Sequence, residues 1–158
     1  MNFSIFDQIT ENLKSEVLES KVTLSILELK LSKDKLIQIV THLKENYQFD
    51  LFLDVTAVDY LDKKPERFDV VYHLYSTKHF IRVRLKVALH ENNLEIDTLK
   101  NLYGSAPFME RECHEMYGIK FKGNSDLRPI LLYGGFVGYP LRKDYPIDRE
   151  QPLVPYIK

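Results

Sequence analysis

The chain has 158 residues, of which 44% are hydrophobic and 28% charged, and its formal net charge is −1 at pH 7. This length suits one domain with a hydrophobic core of its own, and the nearly neutral charge excludes a global attraction to nucleic acid or to an anionic membrane. Cys113 is the only cysteine, no apolar run reaches the roughly 18 residues of a membrane span, and the N-terminus has no signal-peptide pattern, so we expect a soluble, cytoplasmic protein.

Two helices and several strands are predicted in the first half of the chain. Helical spacing of apolar residues predicts a first helix on Phe6, Ile9, Leu13 and Val17. A second helix follows Ser32 and carries the apolar stripe Leu36, Ile39, Val40, Leu43 and Tyr47. Between them the run VTLSILELKL alternates apolar and polar residues with a change of phase, which predicts one strand with a bulge between Ile26 and Leu27.

Three further strands alternate with period two. The run 49–60 is predicted to place Phe49, Leu51, Leu53, Val55 and Ala57 on one face. Strands 68–75 and 81–89 follow after short polar turns, which favours antiparallel pairing. The predicted order is α-β-α-β-β-β. The fold class is α+β, with a mixed, mainly antiparallel sheet covered by helices, a C-terminal helix and an extended irregular tail.

The composition of the chain changes sharply at residue 104. Residues 1–103 contain no glycine and one proline, whereas residues 104–158 contain all six glycines and the other six prolines. We predict an α+β module over residues 1–118 that ends in a docking helix, followed by an extended tail over residues 119–158. The tail interleaves glycines with aromatic side chains and cannot bury itself, so it must pack on the module or on another protein.

The docking helix is predicted over residues 107–117, with Pro107 in its first turn and Gly118 as its C-terminal stop. Asp97 is predicted to cap a short helix before it. Within the docking helix, Arg111 and Glu115 are spaced i,i+4, as are Glu110 and His114. Such pairs are equally compatible with a solvated helix face and with a face that binds a partner through charged hydrogen bonds.

No residue type occurs in a spacing that predicts catalysis. Glu112, Cys113, His114 and Glu115 are consecutive, so on a helix they point in different directions and cannot share one metal ion. No phosphate-binding loop and no nucleophile motif is present. The basic row Arg82, Arg84 and Lys86 lacks the paired exposed aromatics of a nucleic-acid-binding sheet. We therefore predict no catalytic residue, no cofactor, no metal site and no nucleic-acid binding.

A specific resemblance is carried by FMERECHEMYGIKFKGNSDLRPILL and the following GYPLRKDYP. These segments resemble the signature of the 30 kDa subunit, or C-subunit, of proton-translocating NADH:quinone oxidoreductase, respiratory complex I. The resemblance covers about the last two thirds of the chain. The departures from the family pattern are Phe108 for Trp, His114 for an aromatic residue, Glu115 for Asp, Asn124 and Ser125 for His-Pro, and Pro129 for Arg.

The resemblance implies a non-catalytic assembly subunit in the peripheral arm of complex I, which supports electron transfer from NADH to quinone coupled to proton translocation. It implies no cofactor in this subunit, partners in the quinone-site D-subunit and the iron–sulfur subunits, and a peripheral location on the cytoplasmic side of the inner membrane. The alternatives are an equivalent subunit of a membrane-bound hydrogenase or another complex I-like enzyme, and a nucleic-acid-binding α+β domain.

Ten charged or aromatic side chains are predicted to bind these partners, the charged ones through paired hydrogen bonds and the aromatic ones through buried area. We expect Arg142→Ala in particular to weaken association and to leave the stability of the module almost unchanged. The ten are Glu110, Arg111, Glu112, Asp126, Arg128, Tyr139, Arg142, Lys143, Asp144 and Tyr145.

Overall fold

The computed structural model describes residues 3–151, with the side chains described from residue 5 onward. Residues 152–158 of the predicted tail lie outside this range. A 3-10 turn, Lys33–Lys35, precedes the second of three helices. The elements in chain order are α1 Phe3–Leu13, β1 Glu19–Thr23, β2 Ile26–Leu31, α2 Leu36–Tyr47, β3 Leu51–Asp59, β4 Phe68–Ser76, β5 Ile81–Leu89, β6 Glu95–Asp97, α3 Ala106–Tyr117 and β7 Lys120–Lys122.

The main sheet has the strand order β1-β2-β5-β4-β3. Within it, β2 and β5 run parallel and the other neighbouring pairs are antiparallel. The register places Leu29, Leu85, Tyr72 and Val55 side by side across four strands. All four are buried, so they mark the inner face of the sheet. The predicted α+β class with a mixed, mainly antiparallel sheet is confirmed.

The helices cover the inner face. The predicted stripe of α2 is buried in full, because its members recur every three or four residues and so share one side of the helix. The segment before α3 adds Tyr103, whose ring stacks on Phe52 at 5.5 Å between centroids and whose hydroxyl donates to the Phe49 carbonyl at 2.6 Å. Sheet and helices thus share one hydrophobic core.

Three local predictions are wrong. The run predicted as one bulged strand is a hairpin, because Leu24 and Ser25 both have positive φ and form a two-residue turn between β1 and β2. The face predicted for Leu51 is also wrong. A bulge between Phe52 and Asp54 in β3 places Phe52 in the core and leaves Leu51 exposed. Asp97 lies in β6 and caps no helix.

After α3, the chain forms a second, two-stranded sheet that packs it against the module. β6 and β7 pair in parallel, and Ile96 and Phe121, which lie opposite each other, are both buried. Ile119 is also buried. The irregular part of the chain therefore begins at Gly123, and the name "the tail" is used below for residues 123–151.

The outer face of the main sheet carries a charge network around Glu28. Its carboxylate forms ion pairs with Lys21 at 3.0 Å, Lys86 at 2.9 Å and Arg84 at 3.2 Å. Burial raises the pKa of Glu28, but the hydrogen bonds from the three cations outweigh it and lower the pKa to about 2. Two members of the predicted basic row, Arg84 and Lys86, are therefore paired within the chain.

Candidate functional site

The tail runs alongside α3 in the same direction as the helix. Hydrogen bonds join the two segments in matching order, so that residues early in the tail meet the start of α3 and later ones meet its end. They link Asn124 to Pro107 and Glu110, the 128–129 carbonyls to Arg111, the 130–132 amides to Glu115, and Leu141 to Met116.

Glu110 attaches the first part of the tail to the module. Its side chain is fully buried. One carboxyl oxygen accepts from the Thr98 hydroxyl at 2.6 Å and from the Asn124 amide at 2.9 Å, and the other accepts from the Leu99 backbone N–H at 2.8 Å. Burial of a carboxyl group is tolerated because donors surround it. Glu110 thus ties α3, the segment after β6 and the tail together.

Arg111 and Glu115 grip the main chain of the tail, and we call these two side chains the α3 clamp. Arg111 donates from Nε to the Arg128 carbonyl at 2.8 Å and from Nη2 to the Pro129 carbonyl at 2.9 Å. Glu115 accepts the backbone N–H groups of residues 130, 131 and 132 at 3.0, 2.8 and 3.2 Å. The i,i+4 pairing considered for Arg111 and Glu115 is therefore replaced by bonds to the tail.

A second attachment point, which we call the Arg67 cluster, holds the later part of the tail. Arg67 and Asp59 are 5% and 4% exposed and form two hydrogen bonds, at 2.9 and 2.8 Å. The same guanidinium binds Glu91 and Asp144. The backbone N–H of Lys143 donates to Asp59 at 2.8 Å. The cluster therefore links the end of β3 and the start of β4 to the tail.

The two aspartates of the Arg67 cluster have lowered pKa values. Burial raises the pKa of Asp59, but hydrogen bonds from Arg67 and from the Lys143 N–H outweigh it, and the pKa falls below its usual value. The hydrogen bond from Arg67 lowers the pKa of Asp144, against a smaller effect of burial. Because both carboxylates bind as anions, they stabilise the attached tail only while ionised.

The attachment is therefore expected to weaken in acid. A lowered folded pKa contributes stability above the unfolded pKa of about 4, and this contribution is lost as the pH falls through the folded value. Asp144→Asn should reduce the free energy of unfolding at pH 7, and the difference from the unmodified chain should begin to shrink near the unfolded pKa of about 4 and keep shrinking as the pH falls towards the folded pKa. Urea unfolding across pH 7 to 3 measures this. Asp148→Asn, at an exposed aspartate, is the control; a pH-independent difference for Asp144 would contradict the assignment.

Arg142 lies in an internal network. Its Nε donates to the Tyr117 carbonyl at 2.7 Å, and its guanidinium lies 5.3 Å from the centre of the Phe68 ring and 4.5 Å from that of Tyr139. Gly118 makes room for it, because a Cβ there would lie 2.6 Å from Arg142 Nη2 and the backbone φ is +78°. The expectation that Arg142 leaves the stability of the module unchanged is therefore replaced by a stabilising role.

The remaining predicted residues lie at the surface. Glu112 and the side chain of Lys143 are exposed. Asp126 and Arg128 pair with each other through two 2.8 Å hydrogen bonds. The Tyr145 ring stacks on Phe136 at 6.1 Å, and its hydroxyl accepts from Gln151 at 2.6 Å. The structure thus places some of the predicted residues in contacts within the chain and leaves others accessible.

Three residues that hold the tail were not predicted: Asp59, Arg67 and Glu115. A signal for Asp59 is present in the sequence. Asp59 continues the core-facing period of β3 after Val55 and Ala57, and an acidic residue at a core-facing position requires a buried partner. Nothing in the local sequence identifies Arg67 as that partner, because the pairing depends on the turn between β3 and β4.

The outward side of the tail is rich in apolar side chains. Five of them are 41% to 104% exposed, and they lie in the segments that follow α3. They are Ile130, Leu131, Val137, Leu141 and Ile147. Contiguous exposed apolar groups mark interaction surfaces more often than singly scattered ones do. The tail is thus attached to the module by polar groups and presents apolar groups outward.

Two further properties of residues 3–151 bear on the class of site. Within this range, no three or more His, Cys, Asp and Glu side chains are grouped so that they could hold a metal ion. None of the helices in the same range has the length and hydrophobicity that a bilayer crossing requires.

Comparisons of sequence relate the chain to respiratory proteins. Residues 29–151 match the family model described as respiratory-chain NADH dehydrogenase, 30 Kd subunit. The NADH-quinone oxidoreductase C-subunit of Geobacter sulfurreducens is 39% identical over 146 residues, which is 90% of this chain and 90% of that protein. The protein of the same name from Sinorhizobium medicae is 45% identical over 130 residues, 81% of this chain and 64% of that protein.

Two solved structures share the fold. The trypsin-resistant fragment (1–134) of Nqo5 superposes with a TM-score of 0.68 at 29% identity, covering 78% of this chain and 97% of the fragment. A chain of the membrane-bound sulfane sulfur reductase, an archaeal respiratory membrane complex, superposes with a TM-score of 0.76 at 30% identity, covering 91% of this chain and 85% of that one.

Proposed function

The chain belongs to the respiratory-chain NADH dehydrogenase 30 Kd subunit family, and from this premise we propose that its role is to hold other subunits together rather than to catalyse. It is a subunit of a complex I-type NADH:quinone oxidoreductase, so other subunits of that complex are its partners. Its own part in electron transfer is structural: it fixes the positions of the subunits that carry electrons.

One observation carries this proposal. The tail is attached to α3 and to the Arg67 cluster through part-buried polar contacts, yet five of its aliphatic side chains are 41% to 104% exposed. An isolated protein gains nothing from fixing a segment in this way, because the hydrophobic contribution of the segment is left unused. A partner surface that covers these side chains would provide the missing hydrophobic stabilisation, as at the core of a stable interface.

We further propose the neighbouring subunits of this chain and its location in the cell. The quinone-site D-subunit and the iron–sulfur subunits of the peripheral arm are the proposed neighbours, and the cytoplasmic side of the inner membrane is the proposed location. Contact with the membrane is through the complex. Glu112, Asp126, Arg128, Tyr139 and Tyr145 are proposed to contact these neighbours directly, because part or all of each side chain is accessible.

A role in a different respiratory complex is less well supported. The likeness to a chain of the archaeal sulfane sulfur reductase covers more of the chain than the likeness to Nqo5 does. The relatives found by sequence, however, are 39% and 45% identical, and both carry the name of the NADH-quinone oxidoreductase C-subunit. Sequence identity therefore favours the NADH-linked complex.

Truncation after Asn124 tests the proposal. Because Asn124 completes the hydrogen bonds of Glu110, the shortened chain keeps its core, and we expect it to fold with a cooperative urea transition. We expect it to recover none of the partner subunits that a full chain, tagged at the same N-terminus, recovers from gently solubilised membranes. Mass spectrometry identifies those subunits. Equal recovery of partners by the two chains would refute the assembly role of the tail.

A further inference from the structure

We propose that Ile130 and Leu131 form an apolar anchor that enters an apolar pocket on a neighbouring subunit of the complex, and that the α3 clamp positions this anchor. The inference rests on the proposed assembly function and adds which part of the tail makes the decisive contact. Ile130 and Leu131 are 41% and 63% exposed, while the backbone that carries them is tied to α3.

The first support is that the clamp fixes the backbone of the anchor from both directions. Arg111 binds the two carbonyls that precede it, and Glu115 binds the N–H groups of residues 130, 131 and 132. Glu115 is itself buried, so solvent competes little for these bonds. Two apolar side chains are thereby presented at a fixed place and angle.

The second support is the direction of the side chains. Leu127, three residues before the anchor, packs on the hydrophobic core of the module. Ile130 and Leu131 turn away from that core although it is close enough for Leu127 to reach. The exposure of the two side chains costs hydrophobic free energy in the isolated chain, and this cost is offset when another surface covers them.

The third support comes from a comparison of the anchor with two other exposed apolar side chains, Val137 and Leu24. Val137 lies between Gly135 and Gly138, and its backbone bonds go to Gln151 and not to α3. Leu24 is an isolated residue at the tip of the β1–β2 turn, at the end of the sheet opposite the Arg67 cluster. An immobilised side chain loses less entropy on binding than a mobile one, so the clamped pair is the better anchor.

The size and chemistry of the anchor define its receptor. Two adjacent aliphatic side chains are too small a surface for a stable symmetric dimer, which needs on the order of 800 Å² per partner. The salt-bridged Asp126 and Arg128 border the anchor and give it a polar rim. A concave apolar pocket with a polar edge on a neighbouring subunit is therefore the receptor that fits.

Charge insertion at the anchor tests the proposal. The full chain carrying Ile130→Asp and Leu131→Asp is expected to recover at least about tenfold less of the partner subunits from solubilised membranes than the unmodified chain. Its urea transition should remain cooperative, because neither side chain belongs to the hydrophobic core. The control is Leu24→Asp, which places one of the two added charges at a leucine that is 91% exposed and far from the tail, and which should recover the partners normally.

Glu115→Gln tests the positioning role separately. The glutamine side chain keeps the size of the glutamate but accepts fewer hydrogen bonds. The backbone N–H groups of residues 130–132 should therefore exchange with deuterium at least about tenfold faster, and recovery of the partner subunits should fall. When combined with the aspartate pair, Glu115→Gln should cause no further loss of recovery, because both changes act on one contact.

The outcomes of these experiments distinguish the anchor proposal from the assembly function of the tail. Normal recovery by the aspartate pair, together with complete loss on truncation after Asn124, would overturn the anchor and leave the assembly function standing. Normal recovery by both would overturn the assembly function and the anchor with it. Loss of recovery with the aspartate pair and not with Leu24→Asp is the expected result.

Discussion

Replacing Glu110 with alanine is expected to lower the free energy of unfolding by about 3–4 kcal/mol. The substitution removes the acceptor for the Leu99 N–H, the Asn124 amide and the Thr98 hydroxyl, in a place that is fully buried. A buried donor left without an acceptor costs about 1–3 kcal/mol. The Leu99 N–H is fixed by the backbone, whereas the Thr98 hydroxyl can rotate and the Asn124 amide also donates to the Pro107 carbonyl. Urea denaturation followed by circular dichroism measures the loss.

Glu112→Ala is the matched control for Glu110. It makes the same substitution two residues further along α3, at an exposed position, and should change the free energy of unfolding by less than about 0.5 kcal/mol. Similar small losses for both variants would mean that Glu110 does not tie α3 to the tail. The rest of the α3 attachment would then need another explanation.

Arg67→Ala is expected to cost about 3–5 kcal/mol, the range for breaking a buried ion pair on one side. The substitution leaves the Asp59 carboxylate, which is 4% exposed, without its guanidinium partner. It also releases Asp144, so the later part of the tail loses a contact with the module. The free energy of unfolding measures the loss of the buried ion pair. Amide hydrogen exchange measures the release of the tail, and exchange at residues 142–145 should become faster.

Arg128→Ala is the control for Arg67. It breaks an arginine–aspartate pair of similar geometry, but the Arg128 side chain is 82% exposed, and such surface pairs contribute about 0–1 kcal/mol. If Arg67→Ala and Arg128→Ala had equal effects, burial of the Arg67 cluster would not be the source of its strength. Faster exchange at residues 142–145 should occur with Arg67→Ala only.

Most of the core of this protein was predictable because it follows the periodicity of its helices and strands, with β3 as the exception at its bulge. The α2 stripe from Leu36 to Tyr47 and the inward residues of β4 and β5 repeat with the period of their elements. The β1–β2 hairpin was not predictable from turn chemistry, because its two turn residues are Leu24 and Ser25. Turns of this type favour Asn and Gly, and neither occurs there.

The candidate site was predictable in composition and not in geometry. The abundance of glycine and aromatic residues after residue 104 indicates a segment that needs another surface, and this follows from the sequence. The direction in which each charged side chain points does not follow from the sequence. Glu110 and Glu112 are two residues apart on one helix, yet Glu110 is buried and Glu112 is exposed. Glu110 lies on the buried face of α3 with Ala106 and Cys113, and the donors that satisfy it there come from distant parts of the sequence.

The α3 clamp binds main-chain atoms of the tail around the anchor, and this limits what evolution can change there. The attachment itself requires only a backbone N–H group at positions 130 and 131, so it does not depend on which side chain stands there. Proline is the exception at positions 130, 131 and 132, since it lacks the N–H group that Glu115 accepts. The attachment of the tail and the side chains that it presents are therefore set by separate groups of atoms.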